Sequence, residues 1–303
     1  MSIYVTLGRL VMGITPEGFV SERIFPRLDV PGNPVKVKKF GKKDFKHWHT
    51  RRAEHANSNI STIEKPDWDY LQLNPRDSVK TIDKEYTPTV MMPDMINHLP
   101  IMAKHTVWTD TEIENRDRLF TAANYPTGSK ITLSGTDQFD DYTNSQPIEV
   151  IDDAITKISN LTGKKPNRML LPEDVFKKIK FHPELCIKLL NGQTEAATIE
   201  QLKQKFGVEE IIIPGARYYN ESTEILEAIW SKSIALFYSN PSPNPNVLEM
   251  SFGYRLQMPG YPFVDDEIAG IDKKKQEARR YNDMFEDAVL CAEAGYLIEN
   301  AIS

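Results

Sequence analysis

The chain has 303 residues, enough for one large domain or two small ones with real cores. A net charge of −6 and a pI near 5.6 argue against a general nucleic-acid binder, whose surface would be basic. No apolar run approaches the ~18 residues of a membrane span and no signal-peptide pattern opens the chain, so the sequence reads as neither membrane-spanning nor conventionally secreted.

The first 32 residues hold apolar clusters without a sustained period, with Phe19, Ile24 and Phe25 leading into FPRLDV. Such a segment gains stability by lying on something else, either its own domain as an ordinary first strand or a neighbour. Residues 36–52 are the sharpest charge anomaly. Lys36, Lys38, Lys39, Lys42, Lys43, Lys46, Arg51 and Arg52 face one acid, Asp44, giving +7 and leaving −13 for the remainder. Val35 to Phe40 alternates and Gly41 could turn the chain, which predicts a β-hairpin. Three readings fit it: a solvated hairpin, a grip on nucleic acid aided by Trp48, or a contact with acidic surface on another copy. His47, His49 and His55 suggest a metal, but no nearby Cys, Asp or Glu pair completes a site and the positive charge opposes a cation, so no metal is expected.

Residues 53–80 are polar and read as the hairpin's return. Pro93–Ala103 and Val107–Ala123 have helical character, with Leu99, Met102, Val107, Ile113, Leu119, Phe120 and Ala123 as candidate buried positions. Pro100 should kink or divide this stretch. Glu112, Glu114, Arg116 and Asp117 mimic a catalytic cluster but read as a solvated helix face.

Residues 144–185 form a clear α/β unit. Ser145 is a candidate cap, Pro147 suits a first helical turn, and Ile148, Ile151, Ile155, Ile158 and Leu161 make one apolar stripe. Asp152 and Asp153 lie in the favourable first half of that helix. Gly163 stops it and Pro166 prevents resumption. Arg168–Leu171 is a short strand, and Pro172 opens a helix carrying Val175, Phe176 and Ile179. Thr198 with Gln201 is a capping-box pattern before Leu202 and Phe206, closed by Gly207. Val208–Ile213, Ala228–Tyr238, Val247–Leu256 and Glu286–Cys291 read as strands, and Asn240–Asn246 as a proline-rich turn. Helices and strands that alternate early, followed by long strands, indicate an α+β protein of two intertwined domains.

Enzyme motifs are absent. Gly163-Lys164 fails as a phosphate-binding loop because Ile158 stands at its first glycine and Lys165 at its Ser/Thr position. Asp265, Asp266 and Glu267 are three adjacent acids that read as exposed rather than as a cation site. Cys186 and Cys291 read as reduced, buried thiols, with a disulfide or catalytic thiol as the alternative.

The order PI-x-x-I-x-x-A-I, TG-x-x-PN, an apolar strand, then V-F-K-K-I-x-x-HPE-L resembles the central domain of tailed-phage major capsid proteins with the HK97-like fold. The ending EAGYLIENAI and the helix end ENRDRLFTAANYP are similar to that family as well. The resemblance implies an N-terminal arm over residues 1–32 and an extended loop (E-loop) over 33–81. It implies a peripheral domain with a long spine helix over 82–146 and 247–293, and an axial domain over 147–246 and 294–303. It favours reading the basic hairpin as a contact between copies. Lys38, Lys39, Lys42, Lys43, Arg51 and Arg52 are then candidate inter-subunit residues, with Asp152, Asp153, Asp265 and Asp266 as acidic partners.

No catalytic, cofactor or metal residues are expected. The implied partners are further copies in hexamers and pentamers of an icosahedral shell, with portal, scaffolding or decoration proteins and DNA packaged without sequence-specific binding. The implied place is the virion, assembled in the bacterial cytoplasm. An encapsulin-like nanocompartment of the same fold and an unrecognised soluble α+β enzyme are the alternatives.

Overall fold

The computed structural model describes residues 18–41, 68–87, 89, 91–189, 196–243, 249–266, 268 and 270–303. Two five-stranded sheets carry the architecture. The first is built on the long strand β13 (Gln276–Val289). Along one edge of β13 runs β4 (Asn74–Asp83), paired from Gln276↔Asp83 to Phe285↔Asn74. The other edge is shared by β12 (Phe263–Asp265) and β11 (Gly253–Gln257), and β1 (Arg27–Asp29) adds parallel to β11. Alternation along β13 buries Tyr281, Asp283, Phe285 and Asp287 on one side.

Helix α2 (Met92–Leu119) crosses β4 and β13; the single turn before it, Ser21–Ile24, is α1. The buried positions of α2 include Leu99, Ala103, Val107, Thr111, Glu112, Asn115 and Leu119, a stripe at spacings of three and four. The other side of the sheet packs Leu28, Val30, Val37, Leu73, Tyr254, Leu256 and Leu290 together.

The second sheet has the order β5 (Lys130–Thr132), β14 (Gly295–Glu299), β10 (Ile234–Phe237), β6 (Arg168–Leu170) and β7 (Glu210–Ile212). Both of its faces are covered, which explains its unbroken apolar strands. Met169, Ile211, Ile234, Leu236, Tyr296 and Ile298 pack with α3 (Pro147–Thr162), α4 (Glu173–Ile179), α5 (Pro183–Leu189) and α6 (Ile199–Phe206). Leu170, Ile212, Ala235, Phe237 and Leu297 join Phe19, Phe25, Leu119, Trp230 and Phe252 on the opposite face, so this second core lies between the sheet and the C-terminal end of α2.

The caps of α3 and α6 follow the sequence. Gly163 takes φ +71 at the end of α3, and Thr198 and Gln201 complete the capping box of α6. Ser145 does not cap α3. The cap position is Gln146, and Ser145 Oγ donates to the carbonyl of Asp141 and lies 3.0 Å from His182 Nε2.

Other expectations need correction. Pro100 does not divide α2, which runs through it; proline's fixed φ suits a helix, and burial of Leu99, Ala103 and Val107 on the same stripe outweighs one missing hydrogen bond. Met102 is exposed because it falls off that stripe, and Ala123 because the helix ends at Leu119 and Ala123 sits in the short turn Ala122–Asn124 beyond it. Glu112 is buried at 1% exposure, because it falls on the stripe. Ala228–Tyr238 is not one strand. Lys232 sits at φ +62, its N–H held by Asp174 at 3.0 Å, and Trp230 turns into the core. Cys291 is buried and Cys186 half-buried, and neither is in a disulfide.

Candidate assembly surfaces

The N-terminal segment enters the fold through a sealed polar cluster. Gly18 adopts φ +87, and a Cβ there would fall 2.7 Å from the carbonyl carbon of Gly215. Its carbonyl accepts from Gly215 and Ala216 N–H, both at 3.1 Å. Two residues on, the N–H groups of Val20 and Ser21 both donate to Glu112 Oε1 at 2.7 Å, so Glu112 satisfies free donors at the start of α1. Trp230 Nε1 donates to Glu112 Oε2 at 2.7 Å.

Asn115, one turn further along α2, donates to Ser21 Oγ at 2.9 Å and to Asp287 Oδ2 at 2.6 Å. Asp287 in turn holds Arg255 through two bonds of 2.7 Å. Burial pushes the Glu112 carboxyl above the usual range, opposed by its N–H donors from Ser21, Trp230 and Val20. Burial pulls Lys104 down, opposed by Glu22 and Asp283. This cluster fixes the root of the N-terminal segment to α2, β13 and the loop that carries Trp230; the described part of that segment also supplies β1, a strand of the first sheet.

A two-stranded ribbon leaves the first sheet nearby. β2 (Val35–Lys38) pairs antiparallel with β3 (Trp68–Leu71), Val35↔Leu71 to Lys38↔Trp68. Its root is tied by Asn33, whose side chain exchanges two hydrogen bonds with the backbone of Leu73, and by Phe40 N–H donating to Leu290 at 2.7 Å. Lys39 Nζ lies 2.6 Å from Asp69 Oδ2, and the hydrogen bond from Lys39 holds the Asp69 carboxyl below its ordinary value. Lys38 lies over the Phe40 ring at 4.7 Å. Lys42, Lys43, Arg51 and Arg52 lie outside the described residues, as do His47, Trp48, His49 and His55. Beside the root opens a cleft of about 780 Å³ whose lining includes Lys39, Glu114, Asp117, Arg118, Phe252 and Glu286.

The four candidate acids fall in two places. Asp152 lies on α3, 3.9 Å from Lys205, and Asp153 is exposed in a cleft of about 430 Å³ with Asp137, Glu149 and Lys157. Asp265 ends β12 in register with Arg280, and Asp266 beyond it is exposed. Among the described residues no three His, Cys, Asp or Glu side chains form a metal-binding group.

Two surfaces went unread in the sequence. One is the hairpin β8 (Arg217–Asn220) with β9 (Ile225–Ala228), which belongs to neither large sheet. The other is a groove between α2 and β4. Runs of four residues with mixed polarity give no strand period, and a groove between distant segments has no local signal.

No protein-family model matches the chain. The major capsid protein of Burkholderia phage BcepMu is 31% identical over 308 residues, spanning 96% of this chain and 94% of that protein. The chain belongs to the phage major capsid proteins. The crystal structure of a phage-related protein from Bordetella bronchiseptica superposes with a TM-score of 0.77 at 26% identity, covering 98% of this chain and 96% of that one. The virus-like particle from Pyrococcus furiosus gives a TM-score of 0.59 at 12% identity, covering 98% and 100%, and shows the shared fold alone. This capsid protein therefore has the HK97-like fold, and its role is structural. The polar cluster around Glu112, with its three N–H donors at 2.7 Å, is a clamp that serves that role.

Proposed function

We propose that the chain builds an icosahedral shell around the double-stranded DNA genome of a tailed phage, as hexamers and pentamers of one subunit assembled in the bacterial cytoplasm. The single observation that supports this most is the near end-to-end similarity to a phage major capsid protein. Heterologous contacts that close into rings suit a chain whose projecting features differ from the surfaces around them. Many modest contacts then sum to a stable shell.

Within this reading the first sheet with α2 is the peripheral domain, and the second sheet with α3 to α6 the axial domain. The ribbon β2–β3 is the root of the extended loop. Lys38, Lys39, Lys42, Lys43, Arg51 and Arg52 would meet acids of a neighbour, with Asp152, Asp153, Asp265 and Asp266 as candidates. Lys39 already pairs with Asp69 of its own chain, so an acid of a neighbour would compete with that exposed pair for it.

The test is the content of purified particles. Nuclease-resistant DNA inside closed shells recovered from phage-producing cells supports the reading. Shells that hold only protein cargo would replace it with the nanocompartment.

A further inference from the structure

Of the eleven large hydrophobic side chains that stand exposed among the described residues, three lie on the hairpin β8–β9: Tyr219 at 57%, Ile225 at 56% and Leu226 at 61%. Tyr219 and Leu226 are direct cross-strand partners, and Arg217 with Ala228 continues the same face. An isolated two-stranded hairpin is marginal in water, yet this one is braced from its other face. Glu227 accepts from Tyr218 Oη at 3.0 Å, Asn220 Nδ2 at 2.9 Å and Thr223 Oγ1 at 2.9 Å. These bonds tie the two strands to each other on one face and leave the apolar pair outward on the other. Its turn adds two exposed acids, Glu221 and Glu224.

A receptor of matching character lies elsewhere on the same chain. The groove between α2 and β4 has a volume of about 640 Å³ and an apolar lining that includes Val79, Ile82, Met95, Leu99 and Met102. Met95 and Met102 are 42% and 50% exposed. Unbranched methionines adapt to an incoming side chain more readily than branched residues. The rim places the Lys80 ammonium and the His98 imidazole, a hydrogen-bond donor, beside one acid, Asp94, so it offers partners to the acidic turn.

Hairpin and groove cannot meet within one subunit. Arg116 lies beside Tyr218 near the C-terminal end of α2, whereas His98 is in the N-terminal part. The eighteen helical steps from His98 to Arg116 span roughly 27 Å. A projecting apolar patch and a separate apolar groove on one molecule make a head-to-tail contact.

We infer that Tyr219 and Leu226 of the β8–β9 hairpin dock into the α2–β4 groove of a second copy, with Glu221 and Glu224 facing its Lys80 and His98. The inference rests on the self-assembly reading and adds to it a specific pair of surfaces.

The experiment compares unassembled subunits with particles of the wild-type chain by hydroxyl-radical footprinting, and then cross-links particles of a Leu226→Cys, Met95→Cys, Cys186→Ser variant. Tyr219, Leu226, Met95 and Met102 should each lose about fivefold or more of their reactivity on assembly, as side chains at an interface core do. Oxidised variant particles should give covalent multimers that either single cysteine fails to give. Hairpin side chains as reactive in particles as in subunits would overturn the inference, whether or not the variant assembles. So would a cross-link to Met95→Cys from Lys39→Cys in place of Leu226→Cys, which would put the ribbon of a neighbour in the groove. A wild-type chain that forms no particles would instead sink the self-assembly reading beneath it.

Discussion

Replacing Glu112 with Ala should detach the root of the N-terminal segment. Three buried donors lose their acceptor: Val20 N–H, Ser21 N–H and Trp230 Nε1–H, each at 2.7 Å in the wild type. At about 1–3 kcal/mol per buried unsatisfied donor the sum is about 3–9 kcal/mol. Relief of the carboxylate's own burial cost brings the expected loss to the lower end, about 3 kcal/mol, a large part of the ~5–15 kcal/mol that holds a typical domain.

Glu112→Gln separates the contributions. Its one carbonyl oxygen still serves Val20 and Ser21, but its amide meets the indole N–H donor to donor, so a loss of about 1–2 kcal/mol is expected. Urea unfolding of unassembled subunits, followed by tryptophan fluorescence, should show the Ala midpoint lower by about 1 M and the Gln midpoint between it and wild type. An Ala variant within ~0.5 kcal/mol of wild type, the range of an ordinary surface change, would refute the anchoring role.

The same residue carries a pH signature of unusual sign. Burial raises its folded pKa above the unfolded value, so the folded state binds the proton more tightly. Stability from this group is therefore highest in acid and falls as pH rises from the unfolded carboxylate pKa through the folded one. Wild type should lose stability relative to Glu112→Gln over that window in paired unfolding curves; a constant difference would contradict it. Asp287→Asn removes the charge that the two buried hydrogen bonds from Arg255 meet and should cost about 3 kcal/mol in the same assay, since it leaves the guanidinium only the 3.3 Å contact with Glu22 as a counter-charge. Gly18→Ala forces a Cβ against Gly215 at a φ of +87 and should lower the melting temperature by several degrees in a thermal scan. Changing Lys38, Lys39, Lys42 and Lys43 together to Glu should leave circular dichroism unchanged and abolish shells in negative-stain micrographs; normal shells would remove the hairpin from the contact set.

What the sequence showed and hid has a physical pattern. α3 and α6 were legible because their signals are local: Pro147 at the start, Gly163 at the end, Thr198 with Gln201 three residues on. The capsid family was legible because motif order survives where single motifs are loose. Glu112 was misread because charge near Glu114, Arg116 and Asp117 suggested solvent, although the spacing from Trp108 and to Asn115 and Leu119 put it on the inner stripe. Its partners, Val20, Ser21 and Trp230, are each about ninety residues or more away in the chain, beyond any local pattern. β13 was seen only at its end, Glu286 onward, because its alternation places Asp283 and Asp287 at buried positions, where an acid breaks the expected apolar rhythm. Those acids are affordable only because Gln257, Tyr281, Arg255 and Asn115 reach them in the fold. The hairpin β8–β9 stayed hidden for the opposite reason: Tyr219, Ile225 and Leu226 face outward and follow no core period, while the α2–β4 groove is made by two segments that meet only in the fold.

Cryo-electron microscopy of the purified chain at high concentration bears most directly on whether the subunit is completed by its sister copies. Closed shells with icosahedral symmetry, in which every subunit meets several neighbours, are the expected result. A homogeneous population of free, compact subunits under conditions where they stay folded would contradict it.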